Sequence, residues 1–209
     1  REDIDLEFLM EDTNKVLNSM VAGSDRISQI VLGLRNFSRL DESGVKAADL
    51  HSGLESTLLV LRNRLQADKH HAEIHVIQTY GDLPLIICNP SQLNQAFLNI
   101  LNNAIDAIRE NSEAYQTSEQ TPEICIRTGV IEDTRTKRKH IEIGIANNAM
   151  PINPDIRDKI FEPFFTTKAV GKGTGLGLFI SYSIVRQHKG ELSVRSTQNS
   201  TEFVITLPL

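Results

Sequence analysis

Cysteine is scarce in this 209-residue chain: there are only Cys88 and Cys125. They are isolated and show no metal-ligand spacing, so a reduced, cytoplasmic setting is expected. Long apolar runs are lacking as well. A stretch such as Leu58-Leu59-Val60-Leu61 is far too short to span a bilayer, so no membrane contact is expected from this chain, although the whole protein can be membrane-attached. Blocks of Lys and Arg are absent and the net charge is -5, which argues against a nucleic-acid-binding face. Repeats and low-complexity tracts are missing too. The first residue is Arg1 rather than Met, so a piece of something longer is expected. The length suits one ordinary domain plus a smaller element, and the composition, 40% hydrophobic and 23% charged, is that of a globular protein.

Leu6, Met10, Thr13, Leu17, Met20, Ser24, Ile27, Val31 and Leu34 alternate spacings of four and three. This heptad seam predicts a helix packed along a partner helix over residues 1–40, which a homodimer would supply. Arg39-Leu40-Asp41-Glu42-Ser43-Gly44 breaks it, and a second domain is expected over 45–209. There Leu50, Leu54, Leu58, Leu61 and Leu65 mark a helix capped by Asp49. Ile74 to Gln78, Ile124 to Thr128, Ile141 to Ile145, Leu192 to Val194 and Phe203 to Leu207 read as strands. Further helices are expected from Pro90 to Arg109 and from near Thr174, and the polar segment Glu110 to Thr121 as a mobile loop. The sum is an α+β fold, a two-layer sandwich of a mixed sheet with helices on one face.

Three segments carry the chemistry. Asn89-Pro90-Ser91-Gln92 opens a helix with a capping box, and Leu93, Phe97, Ile100, Ala104 and Ala107 form its apolar face. Asn99 and Asn103, four apart, stack at the edge of that face with Asp106, and Asn102 is expected on the far side. Asn carbonyl oxygens suit a hard, hydrated cation. Gly173-Thr174-Gly175-Leu176-Gly177-Leu178 opens another helix, where glycines admit phosphate oxygens close to backbone amides at a positive helix end. Phe161-Glu162-Pro163-Phe164-Phe165-Thr166-Thr167-Lys168 lies between them, with aromatics to anchor a lid.

In this order the segments resemble the nucleotide-binding domain of sensor histidine kinases, within the ATPase class that includes gyrase, the ninety-kilodalton heat-shock chaperone and the mismatch-repair ATPases. The resemblance implies ATP and Mg²⁺ as cofactors and a histidine kinase ATPase-like sandwich. It implies Asn99 and Asn103 as metal and catalytic residues, with Lys168. Nucleotide contacts would come from Asn99, Asn103, Asn147, Phe165, Thr167, Lys168, Lys172, Gly173, Thr174, Gly175, Leu176, Gly177 and Leu178. Where the hydrolases of this class carry a Glu as general base, this chain has Asn99, which cannot take a proton; the kinase branch is favoured.

One box departs from the family. Where Asp-x-Gly-x-Gly is expected, with its Asp on the adenine amine, the chain reads Asn147-Asn148-Ala149-Met150-Pro151. Replacing a charged acceptor by an amide loses ~1 to 1.5 kcal/mol, about tenfold in affinity. The acceptor histidine is also missing: none of His51, His70, His71, His75, His140 and His188 has the family context, and His51 reads as a surface residue. The helix over 1–40 resembles the second helix of the dimerisation hairpin, which places the acceptor helix upstream. The resemblance implies phosphoryl transfer from ATP to that histidine and on to an aspartate of a response-regulator receiver domain. The alternative is a pseudokinase-like regulatory module with a degenerate adenine pocket.

Overall fold

The computed structural model describes residues 44–112, 120–133, 137–169 and 173–209, together with Thr13, Met20 and Tyr115. The predicted helix over 1–40 lies outside these residues, apart from Thr13 and Met20, which are helical.

The chain runs β1 (Lys46–Ala48), α1 (Leu50–Leu65), β2 (His75–Tyr80), β3 (Ile86–Cys88), α2 (Pro90–Glu110), β4 (Glu123–Glu132) and β5 (Lys139–Asn147). Two 3₁₀ turns follow, Pro154–Ile156 and Lys159–Phe161, then α3 (Gly177–Gln187), β6 (Glu191–Thr197) and β7 (Ser200–Pro208). The main sheet has the order β2-β4-β5-β7-β6, with β2 parallel to β4 and the other neighbours antiparallel. This is the expected mixed sheet. β1 and β3 form a separate antiparallel pair that the sequence does not predict; each is three residues long, too short to show a period.

Period-two alternation divides the sheet faces. Ile124 and Ile126 on β4, Ile141, Ile143 and Ile145 on β5, and Phe203, Ile205 and Leu207 on β7 are buried. They meet the apolar face of α2, formed by Leu93, Phe97, Ile100, Leu101, Ala104, Ile105 and Ile108. Leu101, Ile105 and Ile108 widen the predicted stripe, while Ala107 is only half-buried. The opposite sheet face mixes apolar residues such as Ile77, Ile131 and Val204 with charged ones. There Arg127 Nη1 meets Glu142 Oε1 at 2.5 Å and its Nε meets Glu202 Oε1 at 2.6 Å, and these two carboxylates push its guanidinium further up.

Several local expectations change in the fold. Asp49 caps α1 as predicted, accepting from the His51 N–H at 2.9 Å. His51 itself is half-buried, stacked on Tyr80 at 4.5 Å and bonded to the Thr128 hydroxyl at 2.8 Å. α3 begins at Gly177, not near Thr174. In the segment expected as a loop, Tyr115 is tied down: its hydroxyl donates to the Asn148 carbonyl at 2.9 Å. Burial pushes the thiols of both Cys88 and Cys125 up, which disfavours the reactive thiolate at either position.

Only half of the capping box forms. Asn89 Oδ1 accepts from the Gln92 N–H at 3.2 Å, but the Asn89 N–H donates to His188 Nε2 at 3.0 Å instead of to Gln92. His188 Nδ1 in turn donates to the Ile184 carbonyl at 2.8 Å, so the ring bridges the start of α2 and the end of α3. His188→Ala removes both bonds, and urea unfolding is expected to show a loss of about 1 to 3 kcal/mol.

Candidate functional site

A cavity of about 640 Å³ opens between α2, the glycine-rich segment leading into α3, and the ends of β5 and β7. The amphipathic division of α2 builds its floor. The apolar face is fixed on the sheet, so the polar edge bearing Asn99, Asn103 and Asp106 turns toward the cavity. Asn102 lines it too, contrary to its predicted far-side position. A helix turns about 100° per residue, which leaves Asn102 only roughly 60° from Asn99.

Asn99 Nδ2 donates to the Gly177 carbonyl at 3.1 Å. That bond uses the amide nitrogen and not the carbonyl oxygen, the atom a hard cation takes. It also holds α2 against the first turn of α3. Deeper in the same seam, Ser181 Oγ lies 3.0 Å from the Gly177 carbonyl and 3.4 Å from the Ala96 carbonyl.

The glycine segment is clamped to the phenylalanine box. The Phe164 N–H donates to the Gly175 carbonyl at 3.0 Å. Gly175 has φ +66°, and a Cβ there would sit 2.3 Å from the Phe164 carbonyl carbon. Phe164 also adopts positive φ, at 66°, and is exposed, so it covers no cavity wall. Phe165 faces the cavity instead, while Phe161 packs against Tyr182 and Phe203. Leu176 precedes α3 without a side-chain cap, so the first amides of that helix lack a local acceptor.

Every predicted contact residue among those described lines this cavity: Asn99, Asn103, Asn147, Phe165, Thr167, Lys168 and the run Gly173 to Leu178. Lys172 lies outside the described residues. Lys168 Nζ is paired with Asp106 of α2, which also receives Arg64 Nη2 at 2.5 Å; a second nitrogen of Arg64 donates to Asn102. The sequence does not point to Arg64. In sequence it resembles any cation at a helix C-terminus, and its partners lie about forty residues away on another helix. Two cations thus converge on one carboxylate beside the open helix end, an arrangement suited to an anionic ligand.

At the strand end Asn147 is buried, 4% exposed, and its Oδ1 accepts from the Ala149 N–H at 3.1 Å. Thr201, its register partner on β7, lies beside it, with Oγ1 3.1 Å from Ser196 Oγ. Met150, Ile152 and Phe203 supply apolar lining. The result is a cavity with one apolar end carrying a single amide and one polar end rich in donors.

Residues 88–209 match the family described as histidine kinase-, DNA gyrase B- and HSP90-like ATPases. Sporulation kinase E of Bacillus subtilis is 35% identical over 129 residues, which cover 61% of this chain and 15% of that protein. The sensor histidine kinase ZraS of Escherichia coli is 29% identical over 201 residues, covering 95% of this chain and 38% of ZraS. Among solved structures, the mycobacterial sensor histidine kinase MprB superposes with a TM-score of 0.60 at 26% identity, covering 78% of this chain and 97% of that one. The chain therefore spans well under half the length of these curated relatives.

The clamp between Gly175 and Phe164 makes a direct prediction. Gly175→Ala forces an alanine into the left-handed region and against a backbone carbonyl. It should lower stability by about 1 to 3 kcal/mol and speed proteolytic cutting between residues 164 and 178.

Proposed function

This chain belongs to the histidine kinase-, DNA gyrase B- and HSP90-like ATPase family, and on that premise we propose that it is the ATP-binding catalytic part of a sensor histidine kinase. The single observation that carries the reading is the convergence of Asn99, Asn103, Lys168 and the uncapped start of α3 on one cavity. The base would enter the apolar end at Asn147, and the phosphates would lie along Gly173 to Leu178. The related proteins bear kinase names and give no support to the pseudokinase-like module.

The residues fit Mg²⁺ as a partner of a bound nucleotide and not as a resident ion. Asn99 and Asn103 offer neutral carbonyl oxygens, and no cluster of three or more His, Cys, Asp or Glu occurs among the described residues. Mg²⁺ favours such a site, taking phosphate oxygens and water for its other positions, and when bound it neutralises phosphate charge. The chain's own task is to position. Backbone amides of the α3 start hold phosphate oxygens, Lys168 compensates their charge, and Asn99 cannot act as general base toward water. ATP is thereby kept intact for a histidine acceptor. That histidine would sit on a helix preceding residues 1–40, in a homodimer joined through this segment, and would pass its phosphoryl group to a response-regulator receiver domain.

Incubating the chain with ATP, Mg²⁺ and a separate dimerisation hairpin carrying an acceptor histidine should give acid-labile phosphohistidine. Asn103→Ala should lower that yield at least about tenfold. Steady phosphate release without any acceptor would instead assign the chain to the self-contained hydrolases.

The Asp106 bridge competes with phosphate for Lys168. Asp106→Asn is expected to tighten ATP binding about two- to fivefold in calorimetric titration, and Lys168→Met to weaken it.

A further inference from the structure

The amide at the apolar end of the cavity is fixed in one orientation, and that orientation bears on which base it can recognise. Asn147 Oδ1 faces the Ala149 N–H at 3.1 Å. A backbone N–H only donates, so the atom opposite it must be the oxygen; turning the amide over would set two donors against each other. Asn147 Nδ2 has no hydrogen-bond partner among the described residues. It is not sealed off either, because the fully occluded, unpartnered side-chain nitrogens there are Arg109 Nε and Arg157 Nε. Nδ2 therefore opens into the cavity that Asn147 lines.

The neighbouring polar group does not offset this donor. Thr201 bears a hydroxyl that can donate or accept, within 3.1 Å of Ser196 Oγ. The side chains of Ile152 and Phe203 around it offer no acceptor, and Met150 offers only a weakly accepting thioether sulfur. The 6-amino group of adenine is itself a donor and would meet a donor. It could bond by sharing the oxygen already held by Ala149, or by using the Thr201 hydroxyl as an acceptor while that group donates to Ser196 Oγ. A carbonyl at the same purine position would accept from Nδ2 with no rearrangement.

We propose that this cavity takes purine nucleotides carrying a carbonyl at C6 at least as tightly as adenine nucleotides, with Asn147 as the residue that sets the choice. The proposal rests on the reading above that the base occupies the Asn147 end. Recognition is a difference between two affinities, and here the usual source of that difference, a pure acceptor facing the amine, is replaced by a main-chain-locked amide presenting its donor. Asn147→Asp restores a pure acceptor and should reverse the order.

The test is calorimetric titration of the full chain with ADP and with IDP, each with Mg²⁺. Inosine is the cleaner probe because it adds no 2-amino group. Equal or tighter binding of IDP supports the proposal. In Asn147→Asp, ADP should be favoured by at least about tenfold. Tighter binding of ADP by the native chain overturns the proposal and leaves the nucleotide-binding reading standing. Binding of neither nucleotide overturns both. The comparison on the native chain decides the matter by itself if the variant does not fold.

Discussion

The two-sidedness of α2 is the constraint on which the rest of the molecule depends. One face of this helix, from Leu93 to Ile108, completes the core against β4, β5 and β7. Burial of that face is worth far more than any polar contact at the helix edge, so it sets the rotation of the helix about its axis. Rotation in turn fixes where Asn99, Asn103 and Asp106 point. The hydrophobic effect thereby does the aiming, and the amides need only occupy the right turn. α3 is then registered against α2 at both ends, through Asn99 to the Gly177 carbonyl and through His188 to the Asn89 N–H.

Electrostatically the cavity is asymmetric. Its polar end gathers Arg64 and Lys168, both paired with Asp106, together with Glu110 and the open start of α3, and its strand end carries only neutral groups. A ligand with an apolar ring at one end and a polyanion at the other matches that gradient. The asymmetry follows from topology. Helix starts and lysine-bearing loops gather at one rim, and strands that alternate apolar and polar residues gather at the other.

Much of this could be read in the sequence because it is written in local periods. The apolar stripe of α2, the alternation in β4, β5 and β7, the capping role of Asn89 and the glycine run all depend on neighbours within a few residues. What escaped depends on distant partners or on very short elements. β1 and β3 pair over three residues each, and Arg64 meets groups on another helix. His188 takes the place intended for Gln92 because tertiary packing puts a ring nitrogen where a local side chain would have reached back. The late start of α3 has the same kind of cause: Gly175 is held at positive φ by its bond to Phe164, which no helix can include.

Gly144 lies at the middle of the sheet, and its missing side chain is filled from elsewhere. A Cβ there would come within 2.4 Å of Glu202 Oε1 and 2.7 Å of Arg127 Nε. The guanidinium of β4 passes through that gap over β5 to reach β7. One cation thereby links three strands: sliding β4 lengthwise would tear two carboxylates from it, and sliding β5 or β7 would tear one. The sheet consequently offers the cavity a strand end whose register is pinned from the opposite face.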